Sequence, residues 1–223
     1  SVHALGCRRR TGDRRLALDA GFIGGRLAVL AVGGSAAGLR HSLVSPAGAV
    51  AVQDLPARHT VGSAWTGSEF MVLDRPVDGG TSDRLLRIGG ASCGASSVDL
   101  SLDAMFAEVF GWTGTELVVV DWFLEWDYPT VWLLNPDGRS RSFVPAGAYG
   151  ARLGVAVGND RIALAYRDNV GSYPPLVGVG VFDFTGSALA PVAALDRAGL
   201  GWNGSRFATG PNGFVLAYVD GIA

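Results

Sequence analysis

The chain has 223 residues, 48% of them hydrophobic and 17% charged, with 33 glycines and a formal net charge of −2. Such a length and apolar content suit a full core in one all-β domain and exclude a disordered chain. The small net charge gives no electrostatic basis for nucleic acid as a partner, and the absence of lysine removes Schiff-base chemistry and a P-loop. Apolar runs all fall short of the roughly 20 residues that span a bilayer, so no membrane insertion is expected. The stretch ALGC at residues 4–7 has the shape of a lipoprotein cleavage box without the preceding apolar run. No signal peptide is visible, and a first residue Ser1 reads as a processed or trimmed chain.

In chain order, residues 2–19 (VHALGCRRRTGDRRLALD) read as a hairpin turning at Gly12. Five stretches of one design follow: an apolar run, a tight turn with glycine or asparagine, then a second apolar run. They are GFIGGRLAVLAV from Gly21, AWTGSEFMVL from Ala64, GWTGTELVVV from Gly111, VAVGNDRIALAYRD from Val155 and FATGPNGFVLAYVD from Phe207. The second runs begin at Leu27, Phe70, Leu117, Ile162 and Phe214, at spacings of 43, 47, 45 and 52. Each of the first four leads into another hairpin, turning at Gly48, Gly94, Gly138 and Gly186. Two hairpins make a four-stranded meander of about 45 residues, the size of a propeller blade.

The fifth unit stops after its second strand, and the hairpin of residues 2–19 lacks an inner partner. Turn glycines step by 36, 46, 44 and 48, and the step from Gly186 through both chain ends to Gly12 is 49. These counts predict an all-β, five-bladed β-propeller of four-stranded antiparallel blades, with N-terminal strands completing the last blade. Closure removes bare sheet edges. The expected division is a single domain over 1–223: 1–19 as outer hairpin of blade 5, 20–57 as blade 1, 58–103 as blade 2, 104–150 as blade 3, 151–199 as blade 4 and 200–223 as inner hairpin of blade 5. A fragment of a longer array is the competing reading.

The phrases AWTGSEFMVL and GWTGTELVVVDW, with LLNPDGRS after the second, resemble blades of bacterial propeller-repeat proteins of the Ala-Trp-x-Gly-x-x-Phe-Leu-Val-x-Trp type. The resemblance implies a propeller and a place in large, often secreted or surface proteins; it says little about activity. In architecture alone, the design is similar to five-bladed lectins of the tachylectin type. Trp65 and Trp112 recur at the end of the first strand, which favours packing between blades over ligand contact.

Several local signals fail as chemistry. GASCG at residues 90–94 fits Gly-x-Ser-x-Gly, but a strand pattern follows it and His3, His41 and His59 all precede Ser92. VGGSAAG at residues 32–38 leads into a strand rather than the helix a dinucleotide site needs. Three scattered histidines and two cysteines show no zinc-site spacing, so no metal or other cofactor is expected. Cys7 and Cys93 fall in non-adjacent blades and are expected as free thiols. Five arginines crowd residues 7–15, where a solvated turn is the plainer reading than a phosphate site.

Aspartates end the second strands: Asp74, Asp121, Asp168 and Asp220. They read as Asx turns or, in usual propeller geometry, as carboxylates around one face. The strongest functional signal is DWFLEWDYPT, residues 121–130, where aromatics and acids share one loop. Asp121, Trp122, Glu125, Trp126, Asp127 and Tyr128, with Asp168, Asn169 and Tyr173 of the next blade's loop, form the candidate ligand site. Aromatic faces stack on sugars while carboxylates accept from hydroxyls, and the same mixture serves protein recognition; a loop folded over its own small core is the alternative. The favoured function is a non-catalytic binding module for a glycan or protein. The alternatives are a scaffold domain of a larger assembly and a glycoside-active enzyme. The last needs paired carboxylates on first strands, where only Glu108 and Asp19 stand.

Overall fold

The structure, a computed structural model, describes residues 16–32, 39–48, 50–54, 59–75, 83–89, 95–102, 107–122, 128–168, 176–190, 193–195, 206–210 and 213–217. Every regular element among them is a β-strand. Sheet 1 holds β1 (Leu16–Ile23), β2 (Arg26–Val32), β3 (Leu39–Val44) and β4 (Val50–Asp54). Sheet 2 holds β5 (His59–Trp65), β6 (Glu69–Arg75), β7 (Asp83–Gly89) and β8 (Ala95–Leu100). In sheet 3 are β9 (Ala107–Trp112), β10 (Leu117–Asp121), β11 (Thr130–Leu134) and β12 (Ser140–Phe143). In sheet 4 are β13 (Ala151–Val157), β14 (Arg161–Asp168), β15 (Leu176–Asp183) and β16 (Ala193–Leu195). A two-stranded sheet of β17 (Arg206–Gly210) and β18 (Gly213–Ala217) follows. Sheets 1 and 2 belong to one compact unit, sheets 3 and 4 and the last hairpin to another.

The four-stranded antiparallel meanders appear where the repeat predicts them. Four are complete rather than five, and the fifth unit contributes two described strands. Residues 2–15, expected to complete it, lie outside the described residues. One boundary moves: β1 begins at Leu16, so residues 16–19 join the first sheet instead of an outer hairpin, with Ala17 opposite Ala31 and Asp19 opposite Leu30. A β-bulge at Leu18 lies within that extension, between the Ala17 and Asp19 pairings.

The bulge is a repeated device. The first strand of each complete sheet carries one extra residue: Leu18, Val61, Phe110 and Leu153. In sheet 3 it sits nearer the hairpin turn than in the others, after Gly111 pairs with Val118. Bulges bend a strand and increase its twist.

Alternation decides the packing. In the first unit Ala28, Leu30 and Leu43 of sheet 1 bury against Phe70, Val72, Leu86 and Ile88 of sheet 2, with Trp65 alongside. In the second unit Val118, Val120, Val131 and Leu133 of sheet 3 meet Ile162, Leu164, Tyr166 and Phe182 of sheet 4. The last hairpin continues the scheme, with Leu216 packed on Ala165 and Val177 and the Thr209 hydroxyl donating to the Val157 carbonyl at 2.9 Å. Trp65 packs between sheets, as its recurrence implies: its ring lies 4.7 Å from Phe70 and covers Gly21, where any Cβ would overlap the indole.

The two Trp-Thr-Gly turns share one hydrogen-bond scheme. Thr66 Oγ1 accepts from the Glu69 amide at 3.1 Å, and Thr113 Oγ1 from the Glu116 amide at 3.0 Å. Gly67 and Gly114 supply the positive φ, 101° and 106°, that the turn needs. Threonine and glycine thus recur for turn geometry, without any call on a ligand.

Candidate functional site

The candidate site grows from the end of β10. Asp121 closes that strand opposite Ala107 and Thr130, and Trp122 follows it. The structure puts Trp122 in the core, 9% exposed, rather than on the surface. Its indole N–H donates to the Gly150 carbonyl. A large ring with one donor is well served by an apolar pocket and one carbonyl. Asp121 is also buried. The loop residues Glu125, Trp126 and Asp127 lie outside the described residues. Tyr128 emerges 54% exposed, just before β11.

Tyr128 meets Tyr149 edge to face, with ring centroids 4.8 Å apart at 65°. Tyr149 was not legible as a site residue, because it sits in a small-residue stretch, PAGAYG, between β12 and β13. Three bonds hold that stretch. Tyr166 donates its hydroxyl to the Gly147 carbonyl at 2.9 Å, Trp122 bonds Gly150, and the Ala146 amide donates to the Gly186 carbonyl at 2.9 Å. Ala148 plugs the core beneath it. Gly147 and Gly150 have φ of 76° and 110°, so the backbone can fold tightly enough to place its carbonyls over the two buried rings. The result is an exposed Tyr128 ring set against the half-buried Tyr149 of a pinned strap. The solvated face of Tyr128 can stack on the apolar face of a sugar ring or on a planar side chain.

The fourth-blade residues are less fully placed. Asp168 ends β14 opposite Leu176, and Asn169 and Tyr173 lie outside the described residues. The strand-end aspartates divide by register. Asp74 and Asp121 pair with Arg84 and Thr130, whereas Tyr166 takes the matching position of sheet 4 and Asp168 falls two rungs beyond. Asp74 is 1% exposed and ion-paired with Arg84 at 2.7 Å, so a salt bridge stands where an Asx turn or a surface carboxylate was expected. Asp220 lies outside the described residues, as do Ser92, Cys7, Cys93 and the glycines of residues 33–38.

The first-strand acids turn out to hold equivalent rungs of separate sheets. Asp19 faces Leu30 and Glu108 faces Val120, equivalent positions of sheets 1 and 3, while Gly62 and Gly154 take that place in sheets 2 and 4. Counting along the sequence hides this, because the bulge in sheet 3 shifts its first strand. Burial pushes the Asp19 carboxyl above its ordinary pKa, against the pull of the Ala20 amide, the Ser63 hydroxyl and the Trp65 backbone. Its oxygens accept from the Ala20 amide at 2.8 Å and from Ser63 Oγ at 3.4 Å, which ties β1 to β5. Among the described residues no group of three or more His, Cys, Asp or Glu is placed to hold a metal.

No protein-family model matches the sequence, and no curated protein matches it. Among solved structures, the chain is similar to the β-propeller domain of the Trilobed protease from Pyrococcus furiosus, which has an open velcro topology. The TM-score is 0.53 at 11% identity, over 92% of this chain and 69% of that one. The likeness is one of fold. The protein is an all-β chain of propeller type, built from four-stranded antiparallel sheets.

Proposed function

We propose that the chain is a non-catalytic binding domain that takes a glycan on the loops of its third and fourth blades. The observation that carries this reading is the exposed Tyr128 ring packed against Tyr149 of a strap pinned by Trp122 and Tyr166. Its rigidity means that little conformational entropy is lost on binding. The neighbouring loop supplies Trp126 as a further stacking face and Glu125 and Asp127 as acceptors for hydroxyls. Trp122 acts from beneath, by holding the strap.

Binding to a glycan array tests this directly. Tyr128→Ala and Trp126→Ala should each remove at least tenfold in affinity while leaving the far-ultraviolet spectrum unchanged. An empty array, alongside a protein ligand recovered by pull-down whose binding needs the same two residues, would favour the scaffold reading. Hydrolysis of chromogenic glycosides that Glu108→Gln abolishes would favour an enzyme. Against the enzyme stands Asp19, whose carboxylate is already engaged by Ser63 and the Ala20 amide.

The finer architecture belongs to the same proposal: five blades of the bacterial propeller-repeat type, with residues 2–15 as outer strands of the fifth. Its support is the last hairpin, which repeats the rungs of the other sheets and packs on sheet 4 through the matching residue, Leu216. In this reading the ring is sealed by shared strands, unlike the open velcro described for the Pyrococcus propeller. Deleting residues 1–15 distinguishes the two. A sealed ring loses protection from hydrogen exchange along β18, and an open one does not.

A further inference from the structure

One residue breaks the pattern of the sheet-to-sheet contacts. Equivalent third-strand positions hold Leu85 opposite Leu73, Val131 opposite Val120 and Val179 opposite Ala165. In sheet 1 the same position, opposite Leu30, is His41. It is 0% exposed, neither ring nitrogen has a hydrogen-bond partner, and its ring meets Phe70 of sheet 2 edge-on at 5.8 Å.

A neutral imidazole can occupy such a place as a flat apolar body, although its unbonded N–H is costly. An imidazolium there is penalised, because its charge is buried and neither ring nitrogen has an acceptor. β2 presents Ala28 and Leu30. From β6 and β7 come Asp74 and Arg84, which bond to each other at 2.7 Å. Arg40, beside His41 on β3, pairs with Asp54 of β4. Asp19 of β1 is engaged by Ser63 of β5, and His59 lies exposed at the start of β5. Burial alone lowers the His41 pKa, with no charged neighbour contributing.

We propose that His41 is an acid-sensitive latch between the first two sheets: as neutral imidazole it seals their contact, and as imidazolium it opens it. A group whose folded pKa is depressed in this way contributes its stability above the unfolded value, about 6.5, and loses it as pH falls. For a ring wholly neutral when folded, the folded-to-unfolded ratio of the first unit would drop about thirtyfold between pH 7.5 and 5.0, the ceiling of the effect. In the seam between sheets 3 and 4, Val131 stands at this place.

Hydrogen exchange on the full chain, corrected for intrinsic rates, reads both seams at once. On acidification β2, β3, β6 and β7 should lose more protection than β10, β11, β14 and β15, by up to about thirtyfold. His41→Leu, the residue of the sister position in sheet 2, should abolish that difference. An equal loss in wild type and variant overturns the proposal. Should His41→Leu fail to fold, the imidazole of the wild type decides by nitrogen-detected NMR. It should protonate below the free-imidazole value of about 6.5; protonation of His41 near that value within an intact first unit overturns the proposal equally.

Discussion

The seam between sheets 1 and 2 and the seam between sheets 3 and 4 use the same rungs but different chemistry. The fifth residue of the second apolar run is Asp74 in one and Tyr166 in the other. Asp74 is neutralised by Arg84 within its own sheet, whereas Tyr166 sends its hydroxyl out to the strap that carries Tyr149. One third-strand place in each pair of sheets holds His41 and Val131 respectively. Backbone pairing therefore sets where a side chain is buried, and residue choice sets what the burial does. The first seam carries ionisable groups and should answer to pH; the second carries aromatics that reach out to hold a surface.

The largest expected effect comes from opening the first seam's ion pair. Arg84→Ala removes the guanidinium from a carboxylate that is almost fully buried, and should cost about 3–5 kcal/mol of first-unit stability in urea unfolding. A cost below about 1 kcal/mol would mean that Asp74 reaches water and that the seams differ less than their residues suggest. In the second seam, Tyr166→Phe keeps the packing and deletes one hydrogen bond. It should cost about 1 kcal/mol and speed hydrogen exchange in residues 144–150. Unchanged exchange there would show that the strap is held without Tyr166.

Two smaller effects sharpen the contrast. Asp19 has its carboxyl raised by burial, so its contribution to stability is present at low pH and lost as pH rises through the folded value. Asp19→Asn should therefore gain on wild type between pH 3 and pH 7, the opposite direction from His41; parallel pH profiles would remove Asp19 from the account. Tyr128→Ala should change stability by no more than about 0.5 kcal/mol, since the ring is largely exposed, while abolishing glycan binding. A large loss of stability would make Tyr128 part of the strap's support instead of its display.

Strand positions, turn glycines and the repeat of four-stranded meanders could be read from the sequence because they are local. Alternation of period two and a glycine at positive φ are written within a few adjacent residues. The candidate site was readable only in part. DWFLEWDYPT announced an aromatic loop, yet Trp122 is buried and Tyr149, remote in sequence, joins Tyr128. The first-strand bulges decided that Asp19 and Glu108 hold equivalent rungs of their own sheets. Packing between sheets decided that Asp74 is paired, that Trp122 supports the strap and that His41 is sealed from water. These are outcomes of which side chains from distant segments exclude solvent together, a property of the packed sheets that no local run of residues carries.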